Sequence, residues 1–421
     1  MHFTKRRVII SMMLLFVYLI GACSDITNSP SNNRTLSSDD SKAKKSDVMD
    51  RRADSYVFNA PVFSIDATVN GGIILAETVF PGTEVPPEGT STSMVKEIRA
   101  NGKVRTVTEL TTVSNSPING LESIGNGNFF ATGGGLDKAV GAKVFHASNG
   151  SQRLIGDIEK YEKDNDPDAN SGAAWKLPAC EENPAAGFTA GPQSNPYGVV
   201  KINGNEALVA DAAGNSLYWT KANGDLELVA TFTPPTESGV GSDNSEDWMV
   251  LFPLGEEANC YVQPVPTSVA VGPNGDYYVG ELTGVTPANI GTGSSPKTGL
   301  SRIWRIDAGA RDAVCPSDQC EVVASGLTSV LDLEFGADGW LYLVEYDKGG
   351  WYPATLPAPD TEIAGGTIKK CDVFGSGNCE VVFGSEEVVV YPSSITFDKW
   401  NNLWLLKENL FNPTVMKVNM D

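Results

Sequence analysis

Histidine is almost missing from this chain: 421 residues hold two, His2 and His146. That leaves too little for a His-ligated metal centre or a His-based catalytic triad. His146 itself alternates with apolar neighbours in KVFHA and reads as a structural residue rather than a base. The chain also contains no HExxH, no GxSxG elbow and no phosphate-cradling GxxxxGK, so zincin, α/β-hydrolase and P-loop chemistry have no footing. Positive charge is scarce as well: 31 Lys and Arg stand against 52 Asp and Glu, a net of −21. Such a chain repels phosphate backbones and has no basic cluster beyond residue 52, so nucleic acid is not an expected partner. Long helical periodicity is absent too, which excludes bundles and coiled coils.

What is present begins with an export signal. Lys5, Arg6 and Arg7 precede an apolar run over 8–20, too short for a membrane span, followed by Ile20-Gly21-Ala22-Cys23. That ending resembles the bacterial lipobox and implies cleavage after residue 22 with lipidation of Cys23. Ser24 then favours the outer membrane, by resemblance to Gram-negative sorting. Residues 23–54 are polar and poor in large apolar groups, so they are expected to form a flexible tether. The tether is neutral, with six basic and six acidic residues. Residues 55–421 therefore hold 22 basic and 46 acidic residues, a net of −24.

Seven cysteines leave six once Cys23 is lipidated, an even number suited to disulfides in an envelope compartment. Cys315 and Cys320 flank PSDQ, and Cys371 and Cys379 flank DVFGSGN, so each pair can close its own hairpin. Elimination pairs Cys180 with Cys260.

The folded part is repetitive. Six segments share an apolar strand, a Gly/Asn turn and a second apolar strand ending in a polar residue: 63–77, 121–132, 198–211, 268–281, 331–345 and 394–407. Five of them are followed by two further strands, while the sixth gains only one before the chain ends. This pattern predicts an all-β, six-bladed propeller of four-stranded antiparallel blades, NHL- or gluconolactonase-like in style. The missing strand of the last blade is expected from residues 55–60 (SYVFNA), locking the last blade to the first. Turns between first and second strands are short, with one sizeable excursion at 307–319 on their face. Long segments follow second strands or join blades, so they share the opposite face, where recognition by loops is expected.

The second strands end in Glu77, Thr132, Asp211, Glu281, Glu345 and Lys407. Four carboxylates near one rim repel one another unless compensated. One expectation is therefore that Glu77, Asp211, Glu281 and Glu345 hold a hard cation such as Ca²⁺; the other is that each acid caps its neighbouring loop. Asn195, Tyr197, Asn215, Asp347 and Trp351 are the expected ligand-binding residues of the same face. Trp175, Trp248, Phe252, Tyr261 and Tyr352 either join them or pack the loops. The acidic stretch 164–172 (DNDPDANSG) could hold calcium but lacks the EF-hand's terminal Glu.

SNPYGVV, VADAAGNSLYW, PTSVAVGPNGDYYVGELTG and DLEFGADGWLYLVEY, in that order, resemble the ScyD/ScyE family of exported propeller proteins. The resemblance spans about residues 118–421 and implies a secreted six-bladed propeller without assigning an activity. Gluconolactonase-like propellers place an acid or Asn after a Pro where each blade begins; here only Asn119 in SPINGL comes close. The function expected is an envelope lipoprotein that binds a protein, small-molecule or glycan partner on its long-loop face. The alternative is a Ca²⁺-dependent hydrolase, lactonase-like, or an isomerase, using carboxylates at the central channel.

Overall fold

The computed structural model describes residues 53–79, 90–113, 116–134, 141–148, 150–170, 192–235, 251–253, 259–283, 298–351 and 363–420. Cys23, the tether up to residue 52, Cys180 and most of the long loops lie outside the described residues. Among the described residues no helix is long and apolar enough to cross a membrane.

Six antiparallel sheets follow one another along the chain. Blade one comprises Val62–Ala67, Ile73–Val79, Thr90–Ile98 and Val104–Val113. Blade two comprises Ile118–Gly125, Asn128–Gly133, Lys143–Ser148 and Ser151–Asp157. Pro196–Asn203, Glu206–Asp211, Ser216–Lys221 and Leu226–Phe232 make blade three. Blade four runs through Pro266–Val271, Tyr277–Glu281, Ser301–Ile306 and Cys320–Leu327. In blade five the strands are Val330–Phe335, Leu341–Glu345, Thr367–Cys371 and Cys379–Phe383. Blade six has Ser394–Phe397, Leu403–Lys407 and Thr414–Lys417, and its outer strand is Ser55–Val57 from the start of the domain. Ser55 lies opposite Met416 and Val57 opposite Thr414, so the ring is closed as expected.

The first strand of every blade is innermost, and consecutive first strands pack on one another, the sixth on the first. Their side chains alternate between the two flanking blades, which explains why the strands are apolar on both faces. The core is correspondingly split into six apolar layers, one between each pair of neighbouring blades. Trp304 and Trp404, both 0% exposed, fill two of these layers. Tight turns join the first and second strands. Gly275 and Gly339 adopt φ +88° and +84° there, a conformation closed to most side chains, and blade six uses Asn401 at φ +61° instead.

Three features go beyond the repeat, one of them a hairpin of Leu251–Pro253 and Asn259–Tyr261 in the connection from blade three to blade four. The excursion at 307–319 contributes Ala313–Cys315, which lies parallel to the outer strand of blade three and welds blades three and four together. Cys315 pairs with Cys320, and Cys371 with Cys379, as the spacing predicts. The connection from blade two to blade three contains a helix, Ile158–Asn165, capped by the Asp157 side chain on Lys160 N.

Candidate functional site

The four carboxylates at the ends of the second strands do not meet. Each is taken up within its own blade, and Glu77, Asp211 and Glu345 also hold the connection leading into it. Glu77 is 5% exposed, pairs with Lys96, and accepts the Asn59 N–H at 2.8 Å. Asp211, fully buried, accepts Ser194 Oγ and Asn195 N at 2.6 Å each and Gly214 N at 3.2 Å. Burial pushes the Asp211 carboxyl up to about 6 against those hydrogen bonds. Glu281 is held by Arg302 and by Trp304 Nε1 at 2.6 Å. Glu345 accepts Thr328 N and Thr367 Oγ1 at 2.8 Å each and pairs with Lys369 at 2.9 Å. Thr132, the blade-two counterpart, receives the Gly120 N–H at 2.8 Å. Among the described residues no three His, Cys, Asp or Glu side chains converge as a metal site. Glu77, Asp211 and Glu345 thus accept N–H groups of neighbouring connections, whereas Glu281 accepts the side chains of Arg302 and Trp304.

The other expected residues are also engaged locally. Asn195 Oδ1 accepts from Asn119 Nδ2 at 2.8 Å. Asn215 Nδ2 donates to Asp168 Oδ2 at 2.9 Å, and its Oδ1 accepts the Val265 N–H at 3.1 Å. Asp347 receives the N–H groups of Gly349 and Gly365 at 2.7 and 2.8 Å. Trp351 Nε1 donates to the Thr283 carbonyl at 3.0 Å, holding one long-loop segment on the propeller. His146 sits edge-on to Phe130 at 5.6 Å, and burial lowers its pKa, in keeping with a packing role. Trp175, Trp248 and Tyr352, and the side chains of Phe252 and Tyr261, lie outside the described residues, as does part of 164–172.

Tyr197 alone of the expected ligand-binding residues lines the central cavity. This space of ≈ 310 Å³ is walled by all six innermost strands. It brings together a set of charges from the first strands: Asp66 of blade one, Glu122 of blade two, Lys201 of blade three, and Asp332 and Glu334 of blade five. Asn119, the one residue near the gluconolactonase-style position, lines it too.

Part of this set answers a requirement of the fold. An innermost strand has one edge without a strand partner, and its N–H groups need acceptors. Ser123 N donates to Asp66 at 2.6 Å, Ile395 N to Asp332 at 3.0 Å and Phe397 N to Glu334 at 3.1 Å. Hydroxyls serve the same purpose: Ser394 Oγ accepts Ile65 N, and Thr396 Oγ1 accepts Ala67 N, both at 3.1 Å. Ser394 in turn donates to Asp332 at 2.7 Å, so a belt of hydrogen bonds runs from blade five through six and one to two.

The belt leaves charge unbalanced. Burial, then the neighbouring Asp66, pushes Glu122 up to about 8 although Lys201 pairs with it. Burial pushes Asp332 up to about 7 and Glu334 well above the usual carboxylate range. Asp66 is raised by burial despite the pull of Lys201. Burial alone lowers the Lys201 pKa, but Glu122 and Asp66 outweigh it and leave the ammonium more firmly protonated. Lys201, its side chain 45% exposed, marks where the cavity meets solvent, near the ends of the strands that lead into the short turns. Asn119, Thr267 and Ser393, at the opposite end, are at most 2% exposed.

No family model and no curated protein matches the chain. Solved structures do. A structural-genomics protein of unknown function from Bacteroides thetaiotaomicron VPI-5482 shares 11% identity at a TM-score of 0.47, over 88% of this chain and 73% of its own. A candidate oxidoreductase (glucose dehydrogenase) from Thermus thermophilus shares 10% identity at 0.47, over 89% of this chain and 99% of its own. Virginiamycin B lyase from Staphylococcus aureus, solved in a catalytically inactive form with quinupristin, shares 11% identity at 0.41, over 87% and 99%. Resemblance this distant assigns no activity. The propeller stands on its own sheet order, six antiparallel blades closed by the N-terminal strand.

Proposed function

We propose that this chain is an envelope lipoprotein of ScyD/ScyE type whose propeller binds a small ligand in its central cavity without transforming it. The basic start, the apolar run and Ile20-Gly21-Ala22-Cys23 support the anchor, and the neutral tether supports a domain held off the membrane. The quoted segments of blades three to five support the family. The observation that carries the binding reading is the cavity: ≈ 310 Å³, polar, and lined by five charged side chains from four blades.

Two experiments test it. Metabolic labelling with palmitate should mark the protein and lose the label in Cys23→Ser; persistent labelling contradicts the anchor. Native mass spectrometry of the detergent-extracted mature protein should show a small adduct that denaturation removes; only bare protein under conditions that preserve known complexes contradicts binding.

A second reading is favoured by one observation. Burial pushes Glu122 up to about 8 and Asp332 up to about 7 in the same cavity, in the range that suits a general acid and base. Under that reading the protein is a hydrolase or isomerase, and Glu122→Gln should abolish turnover of the lactone or ester it accepts. If a panel of such substrates is not turned over by wild type, this reading fails.

A further inference from the structure

The cavity wall carries four carboxylates, Asp66, Glu122, Asp332 and Glu334, against one cation, Lys201. Lys201 is already committed, paired with Glu122 and donating to the Ser123 carbonyl at 3.0 Å. Among the described residues no ion pair reaches Asp66, Asp332 or Glu334; they receive backbone N–H groups and hydroxyls of neighbouring inner strands. Such dipoles soften the desolvation of a carboxylate but bring no countercharge.

Two neutral groups in the same wall lack a partner as well. Ser393 is 1% exposed and lines the cavity, yet its Oγ makes no hydrogen bond. The Tyr197 hydroxyl, whose oxygen is buried, makes none either. Buried polar groups in folded proteins are nearly always satisfied, so both point to a polar occupant. The shape of the set argues for an extended occupant. No three carboxylates converge on one point, whereas ≈ 310 Å³ accommodates a molecule of several heavy atoms. An ammonium or guanidinium group donates in several directions at once, and the Tyr197 ring offers it a π face. Lys201 already shows how this wall receives an ammonium, with one carboxylate and one carbonyl around it.

We propose that the central cavity binds a small organic cation, a primary amine or guanidinium compound, with its charged head beside Asp332 and Glu334 of blade five and its remainder toward Tyr197 and Ser393. This rests on the ligand-binding reading above and adds the chemical class of the ligand.

Isothermal titration calorimetry on the detergent-extracted mature protein tests it with 1,4-diaminobutane and arginine as cationic probes, and erythritol and succinate as neutral and anionic ones. The expected result is saturable binding of at least one cationic probe, weakened tenfold or more in Asp332→Asn/Glu334→Gln and unchanged in Glu109→Gln, which alters an exposed acid on blade one. Should the double variant lose its circular dichroism signature, Ser393→Ala with a crystal structure of the amine complex replaces it, and the amine must then lie in the cavity. Binding that survives the double variant, or an amine bound elsewhere, overturns the proposal. If erythritol or succinate binds and the amines do not, the charge class is wrong while ligand binding stands. If no probe binds, the charge class is overturned, and the binding reading is decided by the native adduct.

Discussion

Glu281 and Arg302 form an ion pair in which neither side chain is exposed: Nε lies 2.7 Å from Oε2 and Nη2 2.8 Å from Oε1. Nη2 also donates to the carbonyl of Thr233 at 2.7 Å and Nη1 to that of Pro234 at 3.4 Å, both in the connection from blade three, and Trp304 Nε1 completes the carboxylate. A residue that resembles a free rim acid in the sequence is thus the hub that fastens one blade to the next.

Breaking that pair from one side leaves a buried charge without compensation. Arg302→Met is expected to cost ~3–5 kcal/mol of stability, read as a shift in urea midpoint. The double variant Glu281→Gln/Arg302→Met should recover a large part of it. Equal losses in single and double variants would contradict the coupling.

The cavity acids predict a pH dependence of definite sign. Glu122 and Asp332 are held near 8 and 7 in the fold, against ordinary values of 4.5 and 3.8. Because the folded state binds these protons more tightly, the stability they contribute is complete below about pH 4 and is lost as pH rises through 7 and 8. The thermal midpoint should therefore fall from pH 5 to pH 9, and Glu122→Gln/Asp332→Asn should flatten that fall. A wild-type curve parallel to that of the variant would contradict it.

The sequence shows the blades because strand, turn and strand are local, and because six copies repeat the same turn chemistry. It shows the closure for the same reason: one blade is a strand short and SYVFNA is to hand. The two hairpin disulfides follow from spacing alone. The site is hidden because every carboxylate at the end of an apolar strand looks alike along the chain. What separates Glu345 from Asp332 is the partner each meets: Lys369 in its own blade for the former, Ser394 of the next blade for the latter. That distinction is tertiary. The signal was nevertheless visible in SIDA, LESIG and LDLEF, where charges interrupt first strands that have no outward face to put them on. The crossing of Ala313–Cys315 onto blade three left no mark beyond an unusually long turn.

Both disulfides should be formed in the native protein. Cys315 and Cys320 are buried in the layer between blades three and four, whereas Cys379 is half-buried. Replacing either pair by serine is expected to cost about 2–4 kcal/mol, with the larger loss at Cys315–Cys320. Alkylation with a mass-tagged maleimide after denaturation without reductant should leave all four unlabelled; labelling at any of them contradicts the assignment.

The closing strand is expected to matter out of proportion to its three residues. Phe58, 6% exposed, follows it into the layer between blades six and one, and its N–H donates to the Pro413 carbonyl at 2.8 Å. Phe58→Ala should cost about 3 kcal/mol, and removal of residues 53–58 should broaden the unfolding transition as blade six detaches. A sharp transition at the wild-type midpoint would contradict closure by this strand.

The most direct test of the account is where protons sit in the cavity. Carbon-13 NMR of labelled Asp and Glu side-chain carboxyls across pH 3 to 10 reports each titration separately. We expect two resonances with midpoints near 7 and 8, lost in Asp332→Asn and Glu122→Gln respectively. Titration of every carboxyl below pH 5 would show that the channel acids are ordinary ion pairs, and would contradict the charge imbalance on which the cavity's role is built.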